Sequence, residues 1–379
     1  MSHRNGSLDV LRALAIVMVV GCHLATGFAP GSPVAVALGN GGRGVDLFFV
    51  LSGWLLGRQL FAEAAATGTV DVRRFWLRRW LRTLPAYYAV LAAQFAVLAV
   101  RGKGSLIDWR YLIFLQNYIP DPPYFAVSWS LCVEEYFYLA VAPAVFLACR
   151  SRWAVWAAAA VVAVLVGAHA LGWSGGWGEG EGSPAVTHVR FEQCLAGVLL
   201  AWVAVDRPRW WAGLCRWAGP LAVAGVLVFV ADTVNRYRWW VPFGPGTGGW
   251  AMVFASWVLL AVSGPRWERV RSGPARFLAG RAYSIYLVHA EAVNAVKTLD
   301  ERFGPIPAAV QSAATVGLCL LTAEVLYRLV ERPFTRLRES FRASRSDGAP
   351  APLAAAGGAP PVPAAGGPAV GRQGEKAAR

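Results

Sequence analysis

Apolar residues run through this chain in long uninterrupted stretches, separated by short polar segments that are mostly basic. A stretch of about 20 apolar residues is the length of a membrane-crossing helix. Such stretches fall at Leu8–Thr26, Val45–Phe61, Trp80–Val100, Trp129–Cys149, Trp153–Trp173, Phe191–Val205, Ala212–Val230, Trp250–Val262, Phe277–Val296 and Ala308–Leu329. None shows the period-two alternation of a barrel strand. The pattern predicts an all-α fold, a polytopic transmembrane bundle of about ten spans over residues 1–339. From about Ser340 the chain turns to Ala, Pro and Gly with no apolar periodicity, which predicts a disordered tail over 340–379. No repeat of fixed period is visible.

The polar segments orient the bundle. The second connection carries Arg73, Arg74, Arg78, Arg79 and Arg82, and the later even-numbered ones carry Arg150 and Arg152, then Arg207, Arg209 and Arg216, then Arg266, Arg269, Arg271 and Arg276. The odd-numbered connections are less basic or hold acids such as Glu179, Glu181, Asp300 and Glu301. The positive-inside rule then places both termini, and the tail, in the cytoplasm. The first apolar stretch is long enough to span and lacks a small-residue cleavage site, so it is expected to remain as a helix.

Composition agrees. The 379 residues are 56% hydrophobic and 15% charged, against about 25% charged in soluble domains. The 18 Trp suit membrane interfaces. A net charge of +14 raises nucleic acid as a partner. Because the Arg residues sit between apolar spans, a lipid bilayer with anionic headgroups explains them better, and no nucleic-acid partner is expected. The six Cys form no C-x-x-C pair and lie mostly in apolar spans, so they read as small hydrophobes and no metal site is expected.

Ionisable residues inside apolar spans are the candidates for chemistry, because burying a charge in lipid is costly. Arg12 and His23 stand in an Arg-x10-His spacing within the first span. That is nearly three helical turns, so the two share a face about 16 Å apart along the axis. Glu134 and Glu135 are adjacent in WSLCVEEYFY, beginning at Trp129, and diverge by about 100°, so they face different partners. Tyr286 and His289 are neighbours on one face of the ninth span. The basic run RRFWLRRWLRTLP (Arg73–Pro85) suits either ordinary cytoplasmic charge or a polyanion site, with Trp76 and Trp80 available for stacking. Gly39–Gly44 matches G-x-G-x-x-G but follows no strand, so it reads as a tight turn into the second span, with Asp46 at the start of that helix. Glu331-Arg-Pro333 reads as a structural helix end, Pro halting the last span, while His169 and His188 have no motif around them.

In combination and in order, LDVLRALAIVMVVGCH, GVDLFFVLSGWLL, RRWLRTLPAYY, WSLCVEEYFYL, HVRFEQCLAGVLLA, YSIYLVH and VERPF resemble the acyltransferase family three, the integral membrane O-acyltransferases of bacteria and animals. The likeness runs from Leu8 to Phe334. It implies a helical bundle that takes an acyl group, acetyl in the plainest case, from acyl-CoA as co-substrate and esterifies a hydroxyl, with no permanently bound cofactor. It implies a bacterial cell (inner) membrane protein. The family's Arg-x10-His element falls on Arg12 and His23, its basic element on Arg78, Arg82 and Pro85, and its intramembrane glutamate on Glu134. Some members carry an extracytoplasmic esterase-like domain after the bundle; none is expected in this sequence, so direct acyl delivery is the expectation.

An alcohol is a poor nucleophile at neutral pH and needs a base, which an imidazole oriented by a carboxylate supplies. The expected catalytic group is therefore His23, with Glu134 or Asp46 orienting it. Arg78, Arg79 and Arg82 are expected to hold the coenzyme A phosphates, and Arg12 to meet the thioester arm. Trp129, Glu135, Tyr286 and His289 are expected to complete the binding site. A covalent route through His23 or Ser52 stays open. The acceptor, a glycan or a hydroxylated small molecule, is not legible. A proton-coupled transporter built on the same buried His and Glu is the rival reading, against which stands the lack of repeated halves. A non-catalytic scaffold accounts for the charges least well.

Overall fold

Small polar side chains set where the helices begin. Asn5 Oδ1 accepts from the Leu8 amide at 3.1 Å and opens α1 (Gly6–Phe28). Ser32 opens α2 (Pro33–Gly39), and a 3-10 turn, Asn40–Arg43, leads into α3 (Gly44–Thr67). Gly68 ends α3 at φ 73°, a left-handed position that glycine takes without steric cost. Asp71 Oδ1 accepts from the Arg74 amide at 3.0 Å and opens α4 (Val72–Val100). Four 3-10 turns lead to α5 (Trp129–Arg150). Then come α6 (Phe191–Asp206), α7 (Pro208–Arg238), α8 (Gly246–Val262), α9 (Gly273–Phe303, capped by Ser272) and α10 (Ala308–Leu326). A π turn, Tyr327–Glu331, continues into α11 (Arg332–Ala343).

This computed structural model describes residues 5–118, 124–150, 191–238, 246–264, 267, 270 and 272–343. The relationships below lie within residues 5–338, a single compact unit. The described residues are helical and contain no strand, as the sequence pattern predicts. The predicted span Trp153–Trp173, His169 and His188 lie outside the described residues, as does the tail from 344 onward. The other predicted spans coincide with helices. Among the described residues, six helical segments are long and apolar enough to cross a membrane: Gly6–Phe28, Pro33–Thr67, Val72–Val100, Ala126–Arg150, Pro208–Asn235 and Ala308–Arg338. The expected count of ten is not reached by that criterion among the described residues. The helices α6 and α8 are short, with 16 and 17 residues, and α9 carries Arg281, His289 and Lys297 among its apolar positions. Multiple apolar helices make this a multi-pass membrane protein.

The centre of the bundle is α3. Phe49, Leu56 and Leu60 pack into a core shared with α1, α4, α5, α9 and α10, while Leu47, Val50, Leu51 and Trp54 pack into a second core with α6 and α8. A helix apolar on all sides belongs in such a position. Glycines bring the backbones close. A Cβ on Gly53 would sit 1.9 Å from the Cys194 carbonyl oxygen of α6, and one on Gly197 would sit 2.2 Å from the Val50 carbonyl oxygen of α3. Close contact through small residues is the usual way membrane helices associate. Gly41 and Gly44 press the turn before α3 onto the Met18 and Ala15 carbonyls of α1 in the same way. The G-x-G-x-x-G match is thus a packed turn, as expected. Elsewhere the outer faces are apolar, with Val223 and Leu227 on α7 and Leu321 and Val325 on α10 exposed, as lipid contact requires.

One expectation is corrected. Pro333 does not halt the last span; the helix runs through it. Proline lacks an N–H, so a regular turn would leave a carbonyl without its donor. The π turn takes up that mismatch, with the Arg332 amide donating to the Tyr327 carbonyl five residues back.

Candidate active site

A cavity of about 110 Å³ lies where α1, α3, α4, α5, α9 and the π turn meet. Its polar lining is Arg12, Arg79, Arg82, Glu134, Glu331 and the hydroxyl residues Ser52, Thr83, Ser130 and three tyrosines; Phe48, Phe49, Leu51 and Leu55 form an apolar wall. Pockets that take a whole drug-sized molecule run to about 300–1,000 Å³. This one suits a small reacting group at the end of a longer arm.

The cationic groups come from two helix segments. Arg12 Nη1 lies 3.2 Å from Asp9 Oδ1, one turn earlier on α1. The Arg79 guanidinium stands over the rings of Phe75 and Tyr138, at 5.9 and 5.8 Å. Arg82 lies almost one turn further along α4 and also lines the cavity, whereas Arg78 does not. The basic element is therefore split: Arg79 and Arg82 line the cavity, and Arg78 is not among its lining residues.

The adjacent glutamates diverge as expected. Glu134 lines the cavity and accepts from Ser52 Oγ at 2.9 Å. Glu135 is buried against α4, accepting from Thr83 Oγ1 at 3.0 Å and from Trp80 Nε1 at 3.2 Å. The 3-10 turns before α5 fix this register. Gln116 Nε2 donates to Ser128 Oγ at 3.1 Å, and Asn117 Nδ2 donates to the Trp129 carbonyl at 2.9 Å. The Trp129 ring meets Phe49 edge-on at 6.2 Å, outside the cavity wall.

Beyond the cavity lie two imidazoles. Tyr286 lines it, and its hydroxyl is 2.6 Å from Ser130 Oγ. One turn along α9, His289 is buried, with Nδ1 2.7 Å from the Tyr286 carbonyl. Its ring meets His23 at 4.8 Å between centroids and 78° between planes. His23 Nδ1 lies 2.9 Å from the Val19 carbonyl. A carbonyl only accepts, so in both rings Nδ1 carries the hydrogen, and Nε2 is the position left to accept a proton from elsewhere. A base with this tautomer is what hydroxyl activation needs.

Three expected catalytic residues thus occupy three places. Glu134 sits in the cavity with Ser52, and Asp46 is buried near the start of α3 with Arg43 Nη1 3.3 Å from its Oδ2. His23 is oriented by a backbone carbonyl and a second imidazole in place of the expected carboxylate. Glu331, read from the sequence as a structural helix end, lines the cavity and accepts from Ser284 Oγ at 2.7 Å. Its signal was present: a carboxylate two residues before a proline, just past the end of an apolar span. Tyr283, whose hydroxyl donates to the Thr83 carbonyl at 2.8 Å, and Tyr138 were passed over.

The helices thus enclose a cavity lined by three arginines, with the half-buried His23 and the buried His289 meeting beyond Tyr286. Residues 5–324 match the acyltransferase domain family, and the chain belongs to that family. Among its relatives, a Staphylococcus aureus protein named as a putative O-acetyltransferase is 26% identical over 370 residues, covering 87% of this chain and 57% of the relative. The peptidoglycan O-acetyltransferase OatA of Listeria monocytogenes is 27% identical over 369 residues, covering 87% and 56%. The chain spans a little over half the length of these curated relatives. No solved structure matches it.

Proposed function

We propose that this protein is an O-acyltransferase that moves an acetyl group from acetyl-CoA to a hydroxyl of a glycan such as peptidoglycan. The observation that carries the reading is the line of sites: Arg12, Arg79 and Arg82 on the cavity, Tyr286 at its far end, and the His289–His23 pair one turn beyond. Guanidinium groups hold phosphates by paired, charge-assisted hydrogen bonds, and the cationic end is the natural seat for the coenzyme A diphosphate. The cavity receives only the thioester end of the pantetheine arm. His23 Nε2 takes the proton of the acceptor hydroxyl as its oxygen attacks the acyl carbon. Glu134 holds Ser52 in the wall and offsets the cationic charge when the donor is absent. In this reading the arginine-rich end faces the cytoplasm, where acetyl-CoA is made, and both termini lie there. The family match and the small cavity do not favour a proton-coupled carrier.

The test is direct. Full-length protein in lipid nanodiscs is given acetyl-CoA labelled in the acetyl group, together with lysozyme-released peptidoglycan fragments. Label should appear as an alkali-labile ester on the fragments. Label that stays on the donor, with acetyl-CoA failing to bind, contradicts the reading.

A further inference from the structure

The faces that line the cavity do not end with it. On α9 the lining residues Ala279, Ala282 and Tyr286 recur at steps of three and four, and His289 is the next residue of that stripe. On α1, Arg12 lines the cavity and His23 lies further along the same face. Both stripes therefore lead from the cavity to one point, the His23–His289 contact. His289 touches both sides of that junction, with Nδ1 on the Tyr286 carbonyl and its ring against His23. It is 1% exposed, and its Nε2 is buried without a hydrogen-bond partner. A buried lone pair left without a donor is costly and calls for a use.

We propose that His289 is a second proton carrier, so that the contacting rings of His23 and His289 act as a dyad that takes one proton in all. The proposal rests on the reading of His23 as the base. The acceptor O–H bond breaks and its proton goes to His23 Nε2. The acceptor oxygen bonds to the acyl carbon, and the carbon–sulfur bond breaks with its electron pair leaving on sulfur. The proton then moves from His23 to His289 Nε2, beside the cavity end, and on to the departing thiolate. Two positive rings 4.8 Å apart would repel, so the pair takes one proton and not two. Among the described residues, the titratable groups beside His289 are His23 on α1 and Tyr286 on its own helix, whose ring lies 5.4 Å away; the Cys319 thiol of α10 is directed at the Ile285 carbonyl.

The test uses the full chain with 15N-labelled histidine in nanodiscs, its ring signals assigned through His23→Ala and His289→Asn. At neutral pH both rings should show a protonated Nδ1 and a bare Nε2. On acidification the two Nε2 signals should move together, each partway, as one proton is shared. Independent titration, or a protonated His289 Nε2 at neutral pH, overturns the dyad. His289→Asn keeps a donor for the Tyr286 carbonyl and deletes Nε2. Transfer from labelled acetyl-CoA to peptidoglycan fragments should fall about 100-fold with the KM for acetyl-CoA unchanged; turnover within twofold of the native chain also overturns it. Thermal unfolding confirms that the variant is folded, and the spectra of the native chain stand without it. If His23→Ala keeps turnover, the base reading itself fails. If His23→Ala is inactive and His289→Asn is active, only the dyad fails.

Discussion

Ser52 of α3 and Glu134 of α5 meet in the cavity wall, the hydroxyl donating to the carboxylate at 2.9 Å. A buried carboxylate that accepts a hydrogen bond depends on its donor, and such bonds to charged groups are worth about 1.5–3 kcal/mol. Ser52→Ala should destabilise the protein by about that amount, seen as a lower Tm in nanodiscs. Glu134→Gln, which keeps the volume, should lower acetyl transfer more than it lowers Tm. A Glu134→Gln variant with native turnover would remove this carboxylate from the site.

Arg79 and Arg82 line the cavity and Arg78 does not. Arg82→Gln should raise the KM for acetyl-CoA at least tenfold with a smaller change in kcat, the signature of lost donor binding. Arg78→Gln should raise it much less. Equal effects from the two variants would mean that the phosphates are read outside the cavity, by the whole cationic surface.

The π turn is a second point of leverage. Pro333→Ala restores an N–H and allows a regular helix, which stabilises the segment locally. Regular winding would also rotate Glu331 away from the cavity and from Ser284 Oγ, which now lies 2.7 Å from its carboxylate. The expected outcome is an unchanged or higher Tm with transfer reduced about tenfold or more. Loss of both together would make the proline a folding element only.

Backbone contact between α3 and α6 sets the bundle's centre. A Cβ at Gly53 would fall 1.9 Å from the Cys194 carbonyl oxygen, whereas one at Gly21 on α1 meets nothing within 4 Å. Gly53→Ala should abolish recovery of monodisperse protein from membranes, beyond the 1–3 kcal/mol typical of overpacking. Gly21→Ala should be neutral or slightly stabilising, by about 0.5–1 kcal/mol. Size-exclusion profiles of the two distinguish these outcomes.

Much of this was legible in the sequence, for reasons that differ by residue. Apolar run length locates α1, α3, α4, α5, α7 and α10, because lipid demands internal backbone hydrogen bonding over about 20 residues. The shared face of Arg12 and His23 follows from helical pitch alone, as does the divergence of Glu134 and Glu135. What the pattern does not carry is contact between distant helices. His23 was expected to lean on a carboxylate, yet its neighbour is His289 on α9, and its own Val19 carbonyl fixes the tautomer. Glu331 was read as a helix end because proline ordinarily closes a helix, and only the π turn shows otherwise. Hydropathy also understates α9, since the residues that make it part of the site, Tyr283, Tyr286 and His289 among them, lower its apolar character.

The measurement that bears most directly on the whole account is acetyl transfer by His23→Ala in the full chain, with acetyl-CoA binding followed in the same nanodisc preparation. The account predicts native affinity for acetyl-CoA and a turnover lower by a factor of about 100 to 10,000, the range that a positioned base contributes. Native affinity together with native turnover would show that the hydroxyl proton leaves by another route.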